Sequence, residues 1–340
     1  MPAPPLALTL GDPAGIGPEI VVKAWAALKA TGPAFVVVGD FDLLGSASLS
    51  SAPRVRRVAS AREAAAAFAE ALPVLDIPLR VRPIAGKADP AHAGAVIRWI
   101  ETAVGLALSG EAGGVVTAPI AKAPLYEAGF KFPGHTEFLA ELSADAAHDG
   151  ARGPVMMLTA GGLRTALVTI HEPLSRVPAL LTLESVVNVG LVTAQALQRD
   201  FGVVHPRLAM AALNPHAGEG GALGREEIEI LIPAARVLRD LGVDCEDPRP
   251  SDSLFHAEAR ARYDAVVCLY HDQALIPVKM LDFWAGVNVT LGLPIVRTSP
   301  DHGTGFDIAG RGIARPDSLI AAVRLAGEIA ARRQGSRAPA

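Results

Sequence analysis

Six short segments, residues 5–10, 35–38, 114–117, 164–170, 207–213 and 265–270, are rich in Val, Leu and Ile and do not alternate with polar residues. A strand buried on one face alternates and a strand buried on both does not, so these six predict a parallel sheet covered on both sides. Between them, apolar residues take helical spacing over 18–30, 92–109, 182–200, 226–241 and 317–331. Gly32, Gly110 and Gly242 stand where helices stop, and Pro18 suits a first turn. The alternation predicts an α/β fold. A chain of 340 residues, half of them hydrophobic, suffices for two domains with sizeable cores. There is no internal repeat, and the tail after Arg333, Q-G-S-R-A-P-A, reads as frayed.

Several classes are excluded. The net charge is −4 with no basic stripe, which argues against nucleic acid. The longest stretches without a charge, 185–198 and 283–296, are 14 residues each, short of the roughly 20 apolar residues of a membrane span. The opening M-P-A-P-P-L lacks the basic run of a signal peptide. Two cysteines, Cys245 and Cys268, make no disulfide framework, and Cys268, in an apolar run, reads as a buried thiol. The expectation is a soluble cytoplasmic protein without a membrane or nucleic-acid partner.

The unusual residues follow the predicted strands. Gly11-Asp12-Pro13 follows the first, 118–122 (A-P-I-A-K) another, and His171, Asn214-Pro215-His216 and His271-Asp272-Gln273 follow three more. Ligands of open α/β sheets bind at the carboxyl ends of strands, so these motifs are expected to converge. Three histidines plus one open position suit a catalytic zinc site, although each of His171, His216 and His271 alone also suits a loop histidine. Asp252 and Asp272 fit carboxylates that orient such rings; Asp252 equally suits a helix N-cap.

The segment 11–19, G-D-P-A-G-I-G-P-E, joins the first strand to a helix, where glycines let the backbone approach a phosphate or sugar. It imitates a dinucleotide fingerprint, with Asp40 after the next strand. The third glycine of G-x-G-x-x-G falls on Ile20, however, so the segment also reads as a tight strand–helix connection. Lys279, Asn288 and Arg297 form a natural phosphate cradle, or surface charges if taken singly. Gly134-His135-Thr136-Glu137 opens a helix; Thr136 is its N-cap or, with His135, a donor to an anion. The glycine-rich 301–310 either wraps the adenosine end of a cofactor or is an ordinary loop.

Five motifs occur in order across nearly the whole chain: G-D-P-A-G-I-G-P-E at 11–19, F-P-G-H-T-E-F at 132–138, L-N-P-H-A-G-E-G-G at 213–221, Y-H-D-Q at 270–273 and R-T-S-x-D-H-G-T at 297–304. Together they resemble the 4-hydroxythreonine-4-phosphate dehydrogenase family. The resemblance implies an isocitrate/isopropylmalate dehydrogenase-like fold with two α/β domains flanking a cleft. Residues 1–133 plus 290–335 would form the cofactor side, and 134–289 the metal, substrate and dimer side. It implies His171, His216 and His271 as ligands of one divalent metal per site (zinc first, magnesium or cobalt also), shared between the subunits of a homodimer. His135, Thr136, Lys279, Asn288 and Arg297 would bind a small phosphorylated substrate. Asp12 and Gly15, with His302, Gly303, Thr304 and Asp307 from the H-G-T-G-F-D-I-A-G segment, would hold NAD or NADP.

The implied reaction is oxidation of 4-phosphooxy-L-threonine to 2-amino-3-oxo-4-phosphooxybutanoate, which decarboxylates to 3-amino-2-oxopropyl phosphate on the way to pyridoxal 5'-phosphate. The alternatives are a dehydrogenase of a phosphorylated threonate or erythronate, a non-redox phosphate acyltransferase-like enzyme, and a catalytically silent binding protein.

Overall fold

The computed structural model describes residues 3–45 and 53–335; residues 1–2, 46–52 and 336–340, most of the predicted frayed tail among them, lie outside the described residues. The described chain divides into two compact units, one running up to Ala147 and resuming at Pro294, the other spanning His148–Leu293. The sequence-based boundaries are 133/134 and 289/290; helix His135–Leu142 thus falls in the first unit.

The chain lays down β1 (Leu6–Thr9), β2 (Phe35–Gly39), β3 (Val55–Arg57), β4 (Leu72–Asp76) and β5 (Val115–Thr117) in the first unit. It then forms β6 (Val155–Ala160), β7 (Leu163–Leu167), β8 (Arg207–Met210), β9 (Asp244–Cys245), β10 (Ala265–Cys268) and β11 (Val287–Leu291) in the second, and β12 (Arg297–Pro300) on its return. All six strands expected from apolar runs are present.

In the first unit the order is β3-β4-β2-β1-β5-β12 and every pairing is parallel. Every residue of β1, β2 and β5 is buried, so both faces are covered. Helix Ala93–Leu108 packs on β1, β2 and β5, and helix Asp317–Gly335 packs on β12 and on helix Gly17–Leu28, whose first turn carries Pro18. The last helix runs to Gly335, so Gln334 and Gly335 are helical rather than frayed. Because the strands are parallel, the loops beginning at Gly11, Ala118 and Asp301 leave from one edge of this sheet.

In the second unit the order is β11-β6-β7-β10-β8-β9. Here the all-parallel expectation needs correction. β7, β10, β8 and β9 are parallel, but β6 runs antiparallel to both β7 and β11. The cause is local: Gly161 and Gly162 both have positive φ (55° and 79°) and close a two-residue hairpin with Ala160 opposite Leu163. Helix Leu183–Phe201 starts at the capping box of Thr182 and Ser185 and stops at Gly202, φ 71°. The single helix expected over 226–241 is broken. Pro233 has no N–H to donate, and the Ile232 N–H reaches back five residues to Glu227 O, making a π turn, Glu227–Leu231, before helix Ile232–Asp240. Helix His271–Leu281 buries Ala274, Leu275 and Val278 against Leu158, Leu167 and Val266. Among the described residues no single helix is long and apolar enough to cross a membrane.

Candidate active site

β7, β10 and β8 are adjacent and parallel, so His171, His271 and His216 leave from one edge of the second sheet. Beyond the strands, Val168 N donates to Cys268 O (2.9 Å) and Thr169 donates through N and Oγ1 to Leu269 O (3.1 and 2.6 Å). This zipper sets His171 beside His271, with ring centroids 5.8 Å apart. They line a pocket of about 320 Å³ with Ile170, Glu172, Leu174, Val177, Tyr270 and Asp272. Asp272 Oδ1 lies 2.7 Å from His271 Nδ1, which leaves Nε2 available. Two imidazoles on one tetrahedral zinc, with bonds of about 2.0–2.1 Å, have centroids about 5 Å apart. The 5.8 Å separation of the rings is near that value, and two imidazoles beside a carboxylate are donors of the kind that hold a divalent cation.

His216 is not brought to them: among the described residues no three His, Cys, Asp or Glu groups cluster as a metal site. It is exposed on a turn in which His216, Ala217, Gly218, Glu219 and Gly220 all have positive φ, between 45° and 77°. Left-handed backbone costs about 1–2 kcal/mol per non-glycine residue, hence about 3–6 kcal/mol over the three non-glycine residues of the turn. What opposes this strain is Glu227, which is 1% exposed. Its Oε1 accepts from Leu213 N (2.9 Å) and Asn214 N (2.8 Å), and its Oε2 from Asn214 Nδ2 (2.9 Å). Hydrogen bonds of this kind anchor the base of the turn, at Leu213 and Asn214. Asp252 is exposed in the short turn Ser251–Ser253 and does not cap a longer helix.

In the first unit, Arg297 is 3% exposed and its Nη2 donates to Thr117 Oγ1 (2.8 Å). Burial pulls its guanidinium down to about 10, with a partial counter-pull from Glu137, so it is charged at neutral pH. Burial and the charges of Arg297 and Lys122 hold His135 well below its ordinary 6.5. Its Nε2 is buried without a hydrogen-bond partner, an orphan that suits an anionic oxygen. Gly134, not Thr136, is the N-cap of helix His135–Leu142, so Thr136 lies in its first turn. Two cations, a neutral ring and a helix N-terminus thus favour a bound anion. Lys279 and Asn288 belong to the second unit: Lys279 Nζ sits 5.3 Å from the Phe283 ring centroid, and Asn288 Oδ1 is buried without a hydrogen-bond partner.

A pH prediction follows from His135. Its depressed folded-state pKa keeps the folded ring neutral while the unfolded ring protonates below about 6.5, so stability is lost as pH falls through that value. His135→Gln should flatten the decline in melting temperature between about pH 6.5 and 5; an unchanged slope refutes a neutral buried ring.

The predicted cofactor residues form a packed pair of loops. Ile16 N donates to Thr304 O (2.8 Å), and a Cβ on Gly15 would meet that same oxygen at 2.8 Å. Asp12 is buried, which raises its pKa, and its Oδ1 braces its own loop by accepting from Ala14 N (2.9 Å). Glu19 accepts from Ala314 N (2.7 Å) and Gly312 N (3.2 Å) and pairs with Lys23 (2.7 Å), pinning the second loop to the first helix. His302, Gly303 and Asp307 are exposed, and a Cβ on Gly303 would meet nothing within 4 Å, so that side of the loop is open to a cofactor.

The sequence reading places Gln273 in a motif but gives it no role of its own. Gln273, 6% exposed, bonds Leu269 N (2.6 Å), Ala212 O (2.7 Å) and Ser251 Oγ (2.8 Å), tying the loops after β10 and β8 together beside His271. Lys122, in the 118–122 motif that follows a strand, likewise has no role assigned from sequence, and Thr117 escapes it.

Comparison with known proteins bears on this geometry. The family model described as pyridoxal phosphate biosynthetic protein PdxA matches residues 32–326. The 4-hydroxythreonine-4-phosphate dehydrogenase of Caulobacter vibrioides is 68% identical over 333 residues, covering 98% of this chain and 99% of that protein. A crystal structure of 4-hydroxythreonine-4-phosphate dehydrogenase from Klebsiella pneumoniae superposes with a TM-score of 0.85 at 38% identity, covering 96% of this chain and 100% of that one. A terephthalate 1,2-cis-dihydrodiol dehydrogenase from Burkholderia xenovorans gives 0.64 at 32%, covering 96% and 98%.

Proposed function

Because the chain belongs to the pyridoxal phosphate biosynthetic protein PdxA family, we propose that it is an NAD(P)-dependent 4-hydroxythreonine-4-phosphate dehydrogenase. It oxidises C3 of 4-phosphooxy-L-threonine to a ketone, and the resulting β-keto acid loses CO2 to give 3-amino-2-oxopropyl phosphate. A divalent cation, zinc before magnesium or cobalt, is held by His171 and His271 of one chain and His216 of the partner subunit. The observation that carries this reading is the pairing of His171 with His271, braced by Asp272, while His216 stands out on a strained turn.

Held by these histidines, a divalent cation would supply Lewis-acid polarisation of the 3-hydroxyl, and a bound nicotinamide would supply the hydride acceptor. The chain's own residues supply the rest. Asp272 holds His271 through Nδ1, which leaves Nε2 for the cation. Arg297, His135, Thr136, Lys279 and Asn288 hold the phosphate and aim C3. His302, Gly303, Thr304 and Asp307 hold the adenosine end, with Asp12 and Gly15 shaping the facing loop. The phosphate-handling groups favour a phosphorylated four-carbon acid over a cyclic diol, the substrate named for the Burkholderia relative. The shared site requires a homodimer. The exposed Ile276, Met280, Phe283 and Trp284, Met280 at 81%, supply apolar surface for a second copy.

The test is NAD(P)H formation with 4-phosphooxy-L-threonine, its threonate and erythronate analogues and a cis-diol, with and without chelator. The expected result is turnover of the amino acid, lost on chelation and restored by zinc. Turnover of the diol alone, or full activity in chelator, refutes the proposal.

A further inference from the structure

We infer that Glu227 is a positioning residue: its buried carboxylate locks the left-handed turn that holds His216 in the geometry it needs to complete a metal site. The inference rests on the metal reading above and extends it to a residue outside the site. Three observations carry it. Glu227 takes the backbone N–H groups of Leu213 and Asn214 and the Asn214 side-chain amide, so it fixes the turn at its base, two residues before His216. Its Oε2 also lies 2.7 Å from where a Cβ on Gly218 would stand, so the turn is wrapped closely around the carboxylate. Glu227 itself is set by the π turn Glu227–Leu231, a local irregularity of the kind found at functional sites.

The turn is costly as ordinary structure. His216, Ala217 and Glu219 are forced into a backbone region that side chains avoid, while the His216 ring is exposed. A connection between β8 and the following helix has many unstrained alternatives. Persistence of a strained one, held by a buried carboxylate, fits a need to fix one exposed ring. Without Glu227 the same histidine is present but samples many positions, and ligation must order it first. The expected signature is weaker metal binding with the fold, the anion site of the first unit and the dimer intact.

The experiment uses full-length apoprotein and zinc alone, titrated against a chromophoric chelator. Hydrogen exchange across residues 213–224, dimer mass and inorganic phosphate affinity are measured in parallel. Glu227→Ala should weaken zinc binding at least 10-fold and accelerate exchange within 213–224 alone. Glu227→Gln has the same shape. It keeps an oxygen for the two backbone donors but turns an amide toward Asn214 Nδ2, so its zinc affinity should fall between wild type and Glu227→Ala. If Glu227→Ala does not fold, Glu227→Gln decides by the same readings. His216→Ala is the control for the underlying reading. Loss of zinc affinity in His216→Ala with wild-type affinity in the Glu227 variants overturns this inference alone. Wild-type affinity in His216→Ala overturns the metal reading and this inference with it. Exchange that accelerates throughout the second unit makes Glu227 a general stabiliser and also overturns it.

Discussion

Heterodimers of His216→Ala and His271→Ala should regain up to half of wild-type activity, although each variant alone is nearly inactive. His171 and His271 sit together on one chain, and among the described residues no third ligand joins them; on the proposed shared site, two ligands come from one subunit and the third from the other. In the mixed dimer one site lacks both His216 and His271, and the other retains all three. Loss of a partner that merely orients a ligand costs about 10–100-fold, and loss of a ligand should cost more, so the homodimeric background is low enough for recovery to be plain. The geometry also specifies the failing pair: His171→Ala with His271→Ala leaves every site one ligand short and should recover nothing. Complementation by that pair instead reverses the assignment of ligands to chains. Absence of recovery from all pairings, with dimers intact, favours a site within one subunit.

How much of this is legible in the sequence follows from how local each cause is. Apolar runs report burial on both faces, so β1, β2, β5, β7, β8 and β10 are visible, and with them the edge where the polar motifs gather. β12 is invisible to that criterion because R-T-S-P contains no aliphatic residue, yet it is wholly buried. Its polar groups find partners far along the chain, Thr117 for Arg297 Nη2 and Ala322 O for Thr298. The reversal of β6 is a local event, since Gly161-Gly162 between two apolar runs is a hairpin signal. Its antiparallel consequence is therefore readable from that dipeptide. The strained geometry of the His216 turn is not readable, because glycine content alone does not set the conformation of His216, Ala217 and Glu219. The bracing bonds of Gln273, Glu227 and Glu19 are likewise hidden, although Gln273 and Glu19 stand in visible motifs. These bonds define the site's shape, but a buried glutamine or glutamate looks in sequence like any solvated one.

Arg297→Ala should raise the Michaelis constant for the phosphorylated substrate about 10- to 150-fold, the equivalent of one charge-assisted hydrogen bond, with a smaller change in kcat. Arg297 is buried, reaches Thr117 and stands by the neutral His135, so no surface lysine can take over its role. Its effect on stability runs the other way. A base whose folded pKa is depressed to about 10 from 12.5 carries a destabilisation that is fully present below about pH 10 and relieved as pH rises through that value. Anion-free Arg297→Met protein should therefore melt no lower than wild type at neutral pH, while inorganic phosphate should raise the melting temperature of wild type more than that of the variant. Both signs are required together. A variant that melts well below wild type without anion shows that Arg297 supports the fold. One that keeps the wild-type Michaelis constant shows that the phosphate sits elsewhere. A buried guanidinium that costs stability and returns it as affinity is what distinguishes an anion site from an ordinary buried ion pair.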